Sequence, residues 1–154
     1  MKIGIYTLII ESHFKRIPGI DFDFGYGNGY VLLPNGHPFY EVNYDDINYV
    51  YVHGGLTFSD YFDCNNFLKW IKNKEICGDV TLENYKKFDK FWMIGFDTSH
   101  YNDNEQNCSK EYVIKETESL LNQCLGDSID GILTYKRKQK LLDRKQKLLN
   151  INRI

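Results

Sequence analysis

The order of apolar and polar residues predicts several strands joined by turns. Residues 3–10 read IGIYTLII, a β-rich run, and residues 91–96 read FWMIGF, a compact apolar run typical of an inner strand. Residues 19–34 alternate around a glycine cluster and predict a hairpin or bent strand pair ending at Pro34. A further strand is predicted at 48–53, and the PNGHP stretch that begins at Pro34 predicts a turn.

Two segments have helical spacing and complete the fold prediction. Residues 64–72 carry apolar side chains at positions 64, 67, 68 and 71. Residues 110–125 form the clearest helix, with Ser109 as N-cap, Gly126 as a stop and one packed stripe: Val113, Thr117, Leu120, Leu121 and Cys124. A shorter β-prone stretch follows at 129–135. We therefore expect an α+β fold with a mostly antiparallel sheet, one main packed helix and a shorter helix.

The carboxyl-terminal segment contains an internal repeat. RKQKLLD at 137–143 is followed by RKQKLLN at 144–150, and the period of seven places both leucine pairs on one side of a helix. We predict a single globular domain over 1–135 and a basic helical tail over 136–154. A solvated helix, docking on a partner and binding to an anionic surface are all compatible with the tail.

Charge narrows the classes of ligand. The chain has 154 residues and a net charge of -2; the tail has eight Lys or Arg and one Asp, or +7, which leaves -9 for the body. An acidic body repels long polyanions, so it is not expected to bind DNA or RNA. Arg16 is the one arginine of the body and the candidate for a bidentate phosphate contact.

The cysteines and the apolar runs bear on location. The four cysteines form no CxxC pair, so we expect reduced structural thiols and a cytoplasmic protein. No signal peptide or membrane-spanning segment is expected.

Three histidines lie at turns or strand ends: His37 in NGHPFY, His53 in VHGGLT and His100 in DTSHYND. A glycine pair after a strand either turns the chain or admits a close approach to the backbone. Asp97, His100 and Asp103 follow a D-x-x-H-x-x-D pattern after the strand at 91–96. Together with His53 they are a reasonable ligand set for Zn or Mn.

The same region also suits a nucleotide-like ligand. The backbone N–H groups of Gly54, Gly55 and Leu56 are a candidate anion-binding nest, and Thr57 can donate its hydroxyl. Tyr26, Tyr30, Phe39 and Tyr40 are alternative candidates for stacking on a base, and Asp97 suits ribose hydroxyls. Half-buried sheet tyrosines and polar turn histidines are the structural alternatives.

The ordered motifs resemble a bacterial virus family. GYGNGYVLLPNGHPFY, VHGGLTFS, FWMIGFDTSHYND and EYVIKETESLLNQ are similar to an uncharacterised family of bacteriophage and prophage genomes with the signature GHPxY, HGGLT and GFDxxHxxD. The resemblance covers roughly 24–125 and implies a virus-encoded cytoplasmic accessory protein. Members often carry Cys at the position of Thr98, so no catalytic thiol is expected there.

Three functions are compatible with these residues. The first is sequestration, without turnover or a cofactor, of a nucleotide-derived host immune signal such as a cyclic nucleotide or a cyclic ADP-ribose variant. Its expected ligand-binding residues are these: His37, Tyr40, His53, Gly54, Gly55, Thr57, Asp97, His100 and Arg16. The second is a hydrolase or phosphodiesterase with Zn or Mn on His53, Asp97, His100 and Asp103. The third is a protein–protein inhibitor of a host enzyme; a homo-oligomer is compatible with each.

Overall fold

The computed structural model describes residues 4–12, 24–125 and 143–150. The predicted strand at 129–135, the stop at Gly126 and Arg16 lie outside these residues. In the part of the chain that is described, no helix is long and apolar enough to cross a membrane.

An antiparallel sheet of five strands forms the centre of the molecule. The strands are β1 (Tyr6–Glu11), β2 (Gly27–Leu33), β3 (Phe58–Tyr61), β4 (Ile76–Gly78) and β5 (Trp92–Phe96). Their order in the sheet is β3-β5-β2-β1-β4, and every neighbouring pair is antiparallel. The predicted α+β class is confirmed.

Helices cover both faces of this sheet. Helix α1 spans Cys64–Trp70 and α2 spans Lys110–Cys124; short 3-10 turns occur at Tyr44–Asp46 and Tyr85–Phe88. Both α-helices were predicted. The predicted N-cap of α2 is also confirmed, because Ser109 Oγ accepts a hydrogen bond from the Tyr112 N–H. Residues 143–150 of the tail are helical and exposed.

The alternation of side chains along the strands divides the core into two layers. Ile9, Val31 and Ile94 point to the face covered by α2, where they pack with Val113 and Leu120. The adjacent residues on these strands point to the opposite face of the sheet, because side chains alternate between the two faces along a strand. Leu8, Leu32 and Met93 pack there with Phe67 of α1 and Phe88.

Close approach of α2 to the sheet depends on a glycine. A Cβ added to Gly29 of β2 would lie 2.1 Å from Thr117 Oγ1 of α2 and 2.6 Å from the Phe96 ring. The helix therefore lies over β2 at a distance that only a residue without a side chain permits. This contact sets the position of the amino-terminal turn of α2 relative to the end of β5.

The strand predicted at 48–53 was wrong. Val50 and Val52 do pack on the core, and Tyr51 is exposed, so the alternation is real. No neighbouring strand pairs with this segment within the described ranges. Instead Tyr51 N–H donates to Gln123 Oε1 at 2.8 Å, and Gln123 Nε2 donates to the Tyr51 carbonyl at 2.9 Å. A side-chain amide of α2 thus replaces a strand partner.

The predicted hairpin or bent strand pair at 19–34 lies only partly within the described residues, because 19–23 are outside them. Residues 27–33 form one strand, β2, that pairs with β1 on one side and β5 on the other. The pairing of the preceding residues with β2 stays a prediction. Strands β3 and β4 were not predicted from the sequence; both are short, with four and three residues.

Candidate functional site

Three segments meet at the end of β5. The turn after Val52 supplies His53, the loop after β5 supplies His100 and Asp103, and the first turn of α2 supplies Tyr112. We call His53, His100 and Asp103 the His–Asp–His cluster. The turn at His53 is 50 residues from Asp103 and 59 from Tyr112, and the sheet and α2 bring these segments together.

The glycine pair positions His53 and admits His100. The Gly55 N–H donates to the Val52 carbonyl at 2.9 Å, and Gly54 has φ +67°, which is the geometry of a type II turn. A Cβ on Gly54 would lie 2.3 Å from His100 Cε1. The imidazole therefore packs directly against the backbone, and the predicted close approach to the glycines is made by His100.

The loop after β5 is fixed by its own hydrogen bonds. Asp97 Oδ1 accepts from the Ser99 N–H at 3.0 Å. The His100 N–H donates to Asp103 Oδ2 at 2.9 Å, and the Asp103 N–H donates to the His100 carbonyl at 2.9 Å. The D-x-x-H-x-x-D spacing thus folds into two linked turns that direct the His100 and Asp103 side chains to one point.

Asp103 joins the two imidazoles. Its Oδ1 lies 2.9 Å from His53 Nε2, and its Oδ2 lies 2.9 Å from His100 Nδ1. The residue is only 7% exposed. Burial opposes ionisation, but the hydrogen bonds from the His53 ring, the His100 N–H and the His100 ring outweigh it, so the pKa of Asp103 is lowered.

Ionised Asp103 determines where the ring protons are. A carboxylate can only accept, so His53 Nε2–H and His100 Nδ1–H are the donors. When neutral, His53 then has its lone pair on Nδ1, 2.9 Å from the Tyr112 hydroxyl. Burial and the nearby Glu116 carboxylate raise the pKa of Tyr112 to about 12, so this phenol keeps its proton and can donate to His53.

A buried thiol also touches the cluster. Cys108 Sγ lies 3.7 Å from His53 Nε2. Burial and the charge of Asp103 raise the pKa of Cys108 to about 11, so the thiol stays protonated near neutral pH. Because Nε2 of His53 already faces Asp103, the imidazole is not placed to act as a base for Cys108. The contact does not form an activated nucleophile.

The structure separates His37 from the cluster. The His37 ring is buried, with Nε2 2.8 Å from the Cys124 carbonyl and Nδ1 accepting from the Phe39 N–H at 3.0 Å. Cys124 and Tyr112 are twelve residues apart on α2, or about 18 Å along its axis. His37 therefore caps the far end of the helix and does not join the cluster with His53 and His100, contrary to the expected convergence of three histidines.

Of the remaining predicted residues, Asp97 lies beside the cluster, whereas Thr57 and Tyr40 make other contacts. Asp97 joins the cluster, with Oδ1 3.7 Å from His100 Nδ1. The Thr57 N–H extends the β3–β5 pairing by donating to the Gly95 carbonyl. Tyr40 lies at the other end of β5, where its hydroxyl donates to the Lys90 carbonyl at 2.9 Å.

The expected anion-binding nest is incomplete, because the Gly55 N–H is used within its own turn. Tyr112 and Cys108 were not predicted as neighbours of the cluster. Tyr112 lies outside the apolar stripe of α2, and its position in the first helical turn was the only available signal.

The cluster has the composition of a metal site. One ring nitrogen of His53, one of His100 and a carboxylate oxygen of Asp103 all lie within 4.8 Å of one another. Two imidazoles and a carboxylate are ligands that Zn and Mn accept. A second carboxylate, that of Asp97, lies beside them, so an anion would be repelled here unless a cation were also bound. The three side chains therefore form a candidate ligand set for a cation.

No protein-family model, curated protein sequence or solved structure matches this chain. The expected relationship to a bacteriophage family stays a prediction.

The contact between Gly54 and His100 leads to a paired prediction. Gly54→Ala and Gly55→Ala should each lose about 1–2 kcal/mol of unfolding free energy, because both residues have positive φ. Gly54→Ala should lose a further ~1–3 kcal/mol, since its Cβ displaces the His100 ring, whereas nothing lies within 4 Å of a Cβ at Gly55. Urea denaturation measures both variants. Equal losses would show that His100 does not pack on Gly54.

Proposed function

We propose that the chain is a metal-dependent hydrolase whose metal ion is bound by the His–Asp–His cluster. The observation that supports this most directly is that the three candidate ligand atoms all lie within 4.8 Å of one another. Three protein ligands leave a coordination position for water, which is the arrangement of catalytic rather than structural zinc sites.

Charge favours a cation at this point. The ionised Asp103 and the neighbouring Asp97 repel a phosphate group unless a positive ion lies between them. The two histidines offer neutral nitrogens when their protons are displaced, and a metal ion then offsets both carboxylates. A phosphate ester is the substrate class that fits this balance.

The reaction we infer is hydrolysis of a phosphate ester. A bound metal ion lowers the pKa of its water to about 7 and so supplies a hydroxide. We assign to Asp97, whose side chain is 33% exposed and lies 3.7 Å from His100 Nδ1, the proton that the water would lose. In the reaction we infer, the oxygen of this water would form a bond to phosphorus, the ester P–O bond would break, and the leaving oxygen would take a proton from solvent.

Sequestration without turnover receives less support from the geometry. Of its expected residues, His37 and Tyr40 lie away from the cluster, and the Gly55 N–H is committed to the turn. Inhibition of a host enzyme and self-association stay predictions.

Metal binding is the direct prediction. Isothermal titration calorimetry and metal analysis of the purified chain should give one zinc or manganese ion per chain. His53→Gln, His100→Gln and Asp103→Asn should each weaken binding by more than the roughly 10–100-fold that loss of an outer partner causes. Circular dichroism confirms that each variant is folded.

Two control variants sharpen this test. His37→Gln removes a buried imidazole outside the cluster and should leave the metal affinity within about 3-fold of the parent chain. Asp97→Asn removes an outer partner of His100 and should weaken binding by about 10-fold. Equal losses in His37→Gln and His53→Gln, or no stoichiometric metal, would contradict the proposed site.

Turnover is a separate prediction. The zinc-loaded chain should convert at least one member of a panel of cyclic nucleotides and cyclic ADP-ribose variants to a product heavier by one water. Mass spectrometry of the reaction, before and after heat denaturation, measures this, and Asp103→Asn should abolish it. Release of intact ligand by heat would instead indicate sequestration.

A further inference from the structure

A cavity of about 200 Å³ lies on the sheet face that packs against α1. It is smaller than the roughly 300–1,000 Å³ of sites for drug-sized ligands, and so has room for one planar ring system rather than an extended molecule. We call it the aromatic groove, and its lining residues are Ile10, Asn28, Tyr30, Phe58, Trp70 and Lys74.

Three rings form the walls of the groove. The Tyr30 and Phe58 ring centroids are 5.5 Å apart with an interplanar angle of 79°, and the Phe58 and Trp70 centroids are 6.3 Å apart at 87°. Each ring is only partly buried. Edge-to-face packing leaves ring faces exposed to an incoming planar group.

A glycine positions the Tyr30 ring. Gly95 of β5 pairs with Tyr30 on one side and Phe58 on the other. A Cβ at Gly95 would lie 2.3 Å from Tyr30 Cδ1. Glycine therefore lets the Tyr30 ring lie over β5, close to the Phe58 ring.

The rim of the groove carries polar groups of three kinds. Asn28 Nδ2 donates to the Tyr30 hydroxyl oxygen at 3.2 Å, which leaves the Tyr30 O–H as a donor and the Asn28 side-chain carbonyl as an acceptor. Lys74, in the turn after α1, adds a cation. Within 4–12, 24–125 and 143–150, Lys74 forms no ion pair.

We propose that the aromatic groove binds a nucleotide, with the base against Phe58 and Trp70 and a phosphate at Lys74. Stacking on aromatic side chains recognises the face of any base, and the donor and acceptor at Tyr30 and Asn28 suit a base edge. An aromatic side chain of a peptide would fill the rings but would not use the cation.

The groove adjoins the His–Asp–His cluster through Asp97. The β2–β5 register pairs Gly29 with Phe96, so Asp97, the next residue, comes beside Asn28 of the groove. Asp97 Oδ1 is also 3.7 Å from His100 Nδ1. This link rests on the proposed hydrolase function: if that function holds, nucleotides bound in the groove are the substrate class of the metal site.

Trp70 reports on the groove directly. In the full chain carrying Trp92→Phe, Trp70 is the single tryptophan, and adenosine 5′-monophosphate should quench its fluorescence in a saturable way. Adenosine should bind about 10-fold more weakly, because it lacks the charge that Lys74 pairs with. Equilibrium dialysis of the unaltered chain with the same two probes gives a second measurement should Trp92→Phe fail to fold.

Matched variants assign the contacts. Lys74→Met should reduce the affinity for the monophosphate to that for adenosine. Lys72 is an exposed lysine two residues away, and Lys72→Met should change the affinity for neither ligand. Phe58→Leu should weaken both ligands by at least about 5-fold.

The groove can fail independently of the metal site. His53→Gln should retain binding of the monophosphate while it loses affinity for zinc. If the unaltered chain binds the monophosphate but no stoichiometric zinc or manganese, only the proposed hydrolase is rejected. Absence of saturable binding by fluorescence and by dialysis, or equal effects of the two lysine substitutions, would overturn the groove proposal.

Discussion

The buried carboxylate of Asp103 holds together the part of the molecule where function is proposed. Its two oxygens face two imidazoles, and its loop is closed by the hydrogen bonds between Asp103 and the backbone of His100. A buried ion that loses such partners costs the fold about 1–3 kcal/mol or more. The turn at His53 and the loop after β5 are therefore tied to each other by polar contacts, in a place where apolar packing of similar size would be at least as stabilising.

Strand β5 explains why the cluster and the aromatic groove are neighbours. Ile94 and Phe96 point to the layer beneath α2, whose first turn supplies Tyr112 to His53. Gly95, between Ile94 and Phe96, lies beneath the Tyr30 ring on the face of the groove. Asp97 comes where the strand ends, so its carboxylate reaches towards both. One strand, with its period of two, thus places the His–Asp–His cluster and the aromatic groove on either side of a single acidic residue.

The sequence carried much of this site but not all of it. The D-x-x-H-x-x-D spacing indicated that Asp97, His100 and Asp103 share one loop, because a short loop between polar residues can be predicted from local sequence. His53 is 50 residues from Asp103, and their contact depends on the sheet and α2. His37 looked the same in sequence, yet its ring turns into the core and is satisfied by the Cys124 carbonyl. Whether a turn histidine joins the cluster or packs in the core depends on tertiary contacts.

The larger errors have the same origin. Alternation at 48–53 predicted a strand, but the Gln123 side chain takes the place of a strand partner. The groove depends on cross-strand neighbours of Gly95, which no local pattern reveals. The measurement that tests the account most directly is long-range ¹H–¹⁵N NMR of the imidazoles. The metal-free chain should show His53 protonated at Nε2 and His100 at Nδ1, and zinc should shift a ring nitrogen in both; shifts in neither ring, or in His37 alone, would contradict it.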